Sequence, residues 1–169
     1  MKKLILVSML GLAAVSAQAQ SVYGDVAYQM FDTDLATDPA AVRGIVGYQF
    51  NPNLAVEGMF GTSVRDGKDS SMGVTAKVKL DRLAGIYAKS SFKVNDAFEL
   101  YGRLGYVNYK VSATGSMGGF SAKVSDSDSD VSYGVGASYY LTPKMSINVD
   151  YMDFGDLEGG VAVGLKFSF

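Results

Sequence analysis

The chain has 169 residues with 15 basic and 17 acidic side chains, a formal net charge of −2, and neither cysteine nor histidine. That length is one domain, and the mildly acidic balance excludes a nucleic-acid binder held by charge. Without cysteine there is no disulfide framework, and without cysteine and histidine the usual zinc and copper ligand sets, and Ser-His or Cys-His catalysis, are gone.

Met1 to Ala19 reads as a secretory signal peptide. Lys2 and Lys3 form the charged region, Leu4 to Val15 the apolar run, and Ala17-Gln18-Ala19 the cleavage site. The apolar run is too short to cross a bilayer as a helix. The mature domain therefore spans residues 20–169, where loss of the two lysines leaves 13 basic against 17 acidic residues, a net charge of −4. Twenty glycines and twenty aromatics (11 Tyr, 9 Phe) against three prolines suit many strands joined by turns.

The mature chain alternates apolar and polar residues in segment after segment, the period of a strand with two unlike faces. Val22, Gly24, Val26, Tyr28 and Met30 share the first apolar face, opposite Tyr23, Asp25, Ala27 and Gln29. Val42 to Phe50 and Leu54 to Phe60 repeat the pattern around the turn Asn51-Pro52-Asn53. In the fourth segment Val74, Ala76, Val78 and Leu80 are assigned to the same face as Ala84, Ile86, Ala88, Ser90 and Phe92, with Arg82 interrupting it and placed at the outer rim. Phe98 to Tyr106, Val131 to Leu141 and Met145 to Tyr151 follow. The last segment sets Val161, Val163, Leu165, Phe167 and Phe169 against Gly160, Ala162, Gly164, Lys166 and Ser168. That makes eight strands.

Short turns (51–53, 94–97, 142–144) alternate with longer connections (31–40, 62–73, 112–130, 155–159), and aromatics gather beside the short ones. Apolar faces outward, polar faces inward, and an interfacial girdle predict an all-β fold: an eight-stranded antiparallel up-and-down transmembrane β-barrel whose short turns face the periplasm. The final aromatic Phe169, the aromatic Phe167 and Gly164 resemble the terminal signal by which bacterial outer-membrane barrels are recognised for assembly; Ala162 stands where that pattern often has a polar residue. The whole mature chain is similar to the small eight-stranded outer-membrane barrels typified by OmpX and the membrane domain of OmpA. The resemblance implies a monomeric integral protein of the Gram-negative outer membrane, in contact with its lipids and lipopolysaccharide and with the barrel-assembly machinery. It also implies a part in adhesion or invasion.

Eight charged residues are assigned to the interior: Asp25, Glu57, Glu99 and Asp150 against Arg43, Lys89, Arg103 and Lys166. An eight-stranded barrel is just wide enough for its own side chains, so these groups are expected to pair and plug it. The alternative is a small porin-like channel. No catalytic, cofactor or metal site is expected; the lipid A acyltransferases and deacylases on similar barrels use a histidine that this chain lacks. Function then falls to envelope integrity or to surface interaction through the outer loops, with an extracellular protein as ligand. Asp126, Asp128 and Asp130 make one loop acidic, suited to a divalent cation, a basic partner or plain solvation, without the glycine and glutamate of an EF-hand. Lys77, Lys79 and Arg82 form a basic cluster at the membrane edge, either a solvated rim or a contact for lipopolysaccharide phosphates.

Overall fold

The computed structural model describes residues 21–33, 37–71, 74–117 and 120–169. The signal peptide assigned to Met1–Ala19 lies outside them. The strands are β1 (Ser21–Phe31), β2 (Ala40–Asn51), β3 (Leu54–Arg65), β4 (Gly67–Ser71), β5 (Val74–Lys93), β6 (Phe98–Met117), β7 (Phe120–Thr142), β8 (Met145–Asp153) and β9 (Gly159–Ser168). All neighbours run antiparallel, and the sheet closes because β9 pairs with β1, from Tyr23 opposite Ser168 to Phe31 opposite Gly160. β3 and β4 pair with successive stretches of β5 and together make one stave, so the closed barrel has eight. Closure leaves the membrane-level backbone with no open edge, which the bilayer requires.

The outer face is an apolar belt. Val46 and Val135 are each 67% exposed and Phe60 68%, values that an aqueous surface would rarely carry in series. Tyr48 and Phe50, edge to face at 5.1 Å between ring centroids, mark the periplasmic girdle together with Phe92, Tyr139, Phe167 and Phe169. Tyr28, Tyr106, Tyr133 and Tyr151 form a second, outer girdle. Inside, glycine makes room for tyrosine: a Cβ on Gly47 would strike the Tyr23 ring, and one on Gly136 would sit 2.6 Å from the Tyr101 ring.

Three expectations are corrected above the belt. Residues 112–130 are not a loop. β6 and β7 stay paired out to Met117 opposite Phe120, through Val111–Asp126 and Ser112–Ser125. Residues 62–73 are strand to Arg65 and again over β4. Residues 121–128 are exposed on both faces, so the polar alternation that marks a half-buried strand disappears while the backbone ladder continues. The third correction concerns Leu80 and Val78. A β-bulge between Leu80 and Arg82 puts an extra residue, Asp81, in β5 and exchanges its faces. Leu80 is therefore buried inside the barrel, while Lys77 and Lys79 share the outer face with Arg82.

The rising part of β7 explains its own composition. Beyond the Tyr133–Asp153 pair β8 has ended and that edge of β7 is open. Asp126, Asp128 and Asp130 each use Oδ1 to accept the N–H of the following residue, at 2.8, 2.7 and 2.6 Å. The aspartates thus satisfy a strand edge that would otherwise invite another strand.

Candidate functional site: the lumen and its outer mouth

The inward positions of β1 to β9 divide into two layers that overlap on β2, where Arg43 stands two residues nearer the extracellular end than Ile45. The eight charges, all buried, make up the more periplasmic of the two. Asp150 receives Arg43 Nη2 at 2.5 Å and Arg103 Nη1 at 2.9 Å, and Arg103 Nε reaches Glu57 Oε2 at 2.5 Å. Tyr23 donates to Glu57 at 2.5 Å and Tyr101 to Asp150 at 2.9 Å, while Gln29 accepts from Arg43 at 2.8 Å. A second group centres on Glu99, which receives Lys89 and Lys166 at 3.4 Å each and the Tyr140 hydroxyl at 2.9 Å. The Tyr101 ring lies between the groups, 4.3 Å from Lys89 Nζ and 4.6 Å from Arg103 Cζ, close enough for cation–π attraction to both.

Asp25 differs from the other seven. Its carboxylate accepts from Asn148 but joins none of the ion pairs among the described residues, and its Oδ1 has no hydrogen-bond partner. The charge sum still closes: the Arg43–Asp150–Arg103–Glu57 group is neutral, the Glu99 group carries one surplus positive charge, and Asp25 offsets it.

The extracellular layer is apolar. Ile45, Met59, Leu83, Val107 and Met152 pack with Leu80 and with Phe31 and Phe154, whose ring centroids are 5.9 Å apart. The sequence contained part of the signal, since Ile45, Met59 and Met152 occupy inward positions in the alternation of their strands. Leu80 was hidden by the bulge, and Phe154 by the connection in which it sits. Among the described residues the lumen has cavities of about 10 and about 20 Å³.

Above the apolar layer the mouth opens as a bowl of about 570 Å³. Phe31, Val78, Leu80, Tyr109, Val111 and Leu157 line it below, and Asp126, Asp128, Asp156 and Glu158 stand around it. The Gly155–Leu157 turn forms one wall, entered through Gly155 at φ 68°, a left-handed conformation glycine adopts freely. Tyr109 lies beyond the belt; burial first, then Asp128, Asp156, Asp130 and Asp126, raise its phenol above the ordinary value.

On the outer face at the rim, Lys77, Lys79, Arg82, Lys110 and Lys123 are all exposed. Register places them together, with Arg82 opposite Lys110, Lys79 opposite Ser112 and Lys123 opposite Thr114. Asp81 sits at the bulge among them. The Ser112 hydroxyl, and then Lys123, Lys79 and Lys110, hold its carboxyl below the usual carboxylate range. Of the terminal-signal residues, Phe167 and Phe169 face outward, and Gly164 faces inward against Ala27, where a Cβ would come within 2.6 Å of the alanine methyl.

A closed barrel of eight staves with an uncharged belt outside and charges folded inward is an integral β-barrel membrane protein. The family model of the outer membrane protein beta-barrel domain matches residues 4–169, and the chain belongs to that family, whose members reside in the Gram-negative outer membrane. Among solved structures it is similar to Ail, the attachment invasion locus protein of Yersinia pestis, at 23% identity and TM-score 0.61, covering 89% of this chain and 99% of that one. The N-terminal barrel domain of Pseudomonas aeruginosa OprF gives 14% and 0.63, covering 89% and 98%. OprG of the same organism gives 15% and 0.62, covering 89% and 96%. Ail also has a structure in complex with the heparin analogue sucrose octasulfate. At these identities the likeness is one of fold. No curated protein matches the chain at the sequence level.

Proposed function

We propose that the protein is a non-enzymatic, monomeric barrel with a plugged lumen, acting in envelope integrity and surface interaction through its long outer hairpins. The observation that carries this reading is the Arg43–Asp150–Arg103–Glu57 chain across the bore, with lumen cavities of about 10 and 20 Å³ beside it. Voids of that size hold roughly one water each. The β6–β7 hairpin, paired to its end, supplies a rigid surface for an extracellular protein ligand. The basic rim supplies a site for lipopolysaccharide phosphates, and Lys110 and Lys123 extend the cluster of Lys77, Lys79 and Arg82. The sulfated sugar held by Ail is a polyanion too, and on this chain such a ligand matches the basic rim and not the acidic bowl. Phe169, 78% exposed, is free to meet the assembly machinery.

Single-channel recording of the refolded mature protein in a planar bilayer tests the plug, with heat-modifiability on a gel to confirm the barrel. A folded barrel without openings is expected. Reproducible, salt-dependent openings that change with Arg103 or Glu57 would replace this reading with the small channel. Export is a separate expectation: amino-terminal sequencing of protein extracted from outer membranes should begin at Gln20, and a sequence beginning at Met1 would remove the signal-peptide assignment.

A further inference from the structure

The bowl joins an apolar bed to a ring of carboxylates, and neither has a partner among the described residues. Its volume of about 570 Å³ falls within the roughly 300–1,000 Å³ of small-molecule pockets. Asp126, Asp128, Asp156 and Glu158 take part in none of the ion pairs among the described residues, all of which lie in the lumen. Among the described residues Asp126 and Asp128 each commit only Oδ1, to the open edge of β7, and leave Oδ2 uncommitted. Asp130 differs, because its Oδ2 already accepts the N–H of Asp156 at 3.2 Å.

We propose that this bowl binds a small amphipathic organic cation, an ammonium or amidinium group on an apolar body. The apolar body lies against Leu80, Tyr109, Val111 and Leu157, and the charge is held toward Asp126 and Asp128. Charge complementarity selects this occupant. An anion is repelled by the rim, and a neutral amphiphile gains only the bed. A bare divalent ion finds no set of three converging carboxylates among the described residues. A cation spread over an organic group tolerates such separated charges and uses the apolar surface that a metal ion would leave wet. The bed is closed below by Phe31, Leu80 and Phe154, so the bowl captures its ligand without passing it into the lumen. This goes beyond the surface role proposed above, since it requires neither conduction nor a protein partner.

The test is methyl NMR of the full mature protein in zwitterionic lipid nanodiscs, titrated with 3-phenylpropylammonium, with its neutral twin 3-phenylpropanol and with calcium. Saturable shifts at Val111 and Leu157 are expected with the ammonium. Two exposed charge pairs make its apparent Kd about tenfold lower than that of the alcohol. The double variant D126N/D128N should erase that preference and leave alcohol binding unchanged, because asparagine retains the Oδ1 that satisfies the β7 edge. V111N should weaken both organic ligands. Equal binding of ammonium and alcohol, a preference that survives D126N/D128N, or shifts that follow calcium alone would each overturn the proposal, as would no saturation by the ammonium in a barrel shown to be folded.

Discussion

Replacing Arg103 with leucine is expected to lower the barrel's resistance to urea by about 3–5 kcal/mol, the cost of leaving a buried charge without its partner. Arg103 bridges two carboxylates, Glu57 at 2.5 Å and Asp150 at 2.9 Å. Asp150 would keep Arg43, but Glu57 would keep only the Tyr23 hydroxyl, in a position with no exposure. The pair E57L/R103L should recover most of the loss, because it removes both members together and leaves Arg43 with Asp150 as a neutral unit. Urea titration in micelles, followed by heat-modifiability since the chain has no tryptophan, measures both variants. If the double variant is as unstable as the single one, the loss comes from packing and not from the stranded charge.

The second large effect belongs to the belt. Val149 lies midway between the girdles: Ile147, two residues toward the periplasm, pairs with Tyr139, and Tyr151 lies two residues outward. Val149→Arg should cost about 2–4 kcal/mol, the depth-dependent penalty for a basic residue at the bilayer midplane. The same guanidinium is carried by the wild-type chain at Arg82, at the exposed outer rim, where Asn108 Oδ1 accepts from it at 2.9 Å. Urea titrations of Val149→Arg and Val149→Ala in bilayers separate charge from lost packing. A cost no greater for arginine than for alanine would mean that this face does not meet lipid.

Barrel, strand count and inward charges were legible because the bilayer imposes a strict period of two: each of the eight staves had to read apolar outside, and Val22 to Met30 or Val161 to Phe169 could be read without reference to any neighbour. That constraint ends at the rim. From Ser121 to Asp128 both faces of the strand meet water, so composition pointed to a loop while backbone pairing, which depends little on side chains there, carried the strands on. Leu80 was misplaced for a different reason, since a bulge is a property of pairing between β5 and β6 and leaves no mark in the alternation of one strand. The opposing charges could be assigned to the lumen from parity alone. Which carboxylate meets which cation could not, because Arg43 and Asp150 are brought together by barrel closure across 107 positions of sequence. The bowl lay further out of reach, assembled as it is from β5, β6, β7 and the turn after β8.

The bulge at Asp81 makes β5 a strand of two phases. Below it, even-numbered residues belong to the lipid; above it, they belong to the mouth. One supernumerary residue thus acts as a frameshift in space, giving the lysines to the outer face and Val78 and Leu80 to the bowl without altering any of those side chains. The two surfaces of the rim, basic outside and acidic-apolar inside, are therefore two readings of one strand, and they are set by the parity of its residues as much as by their chemistry.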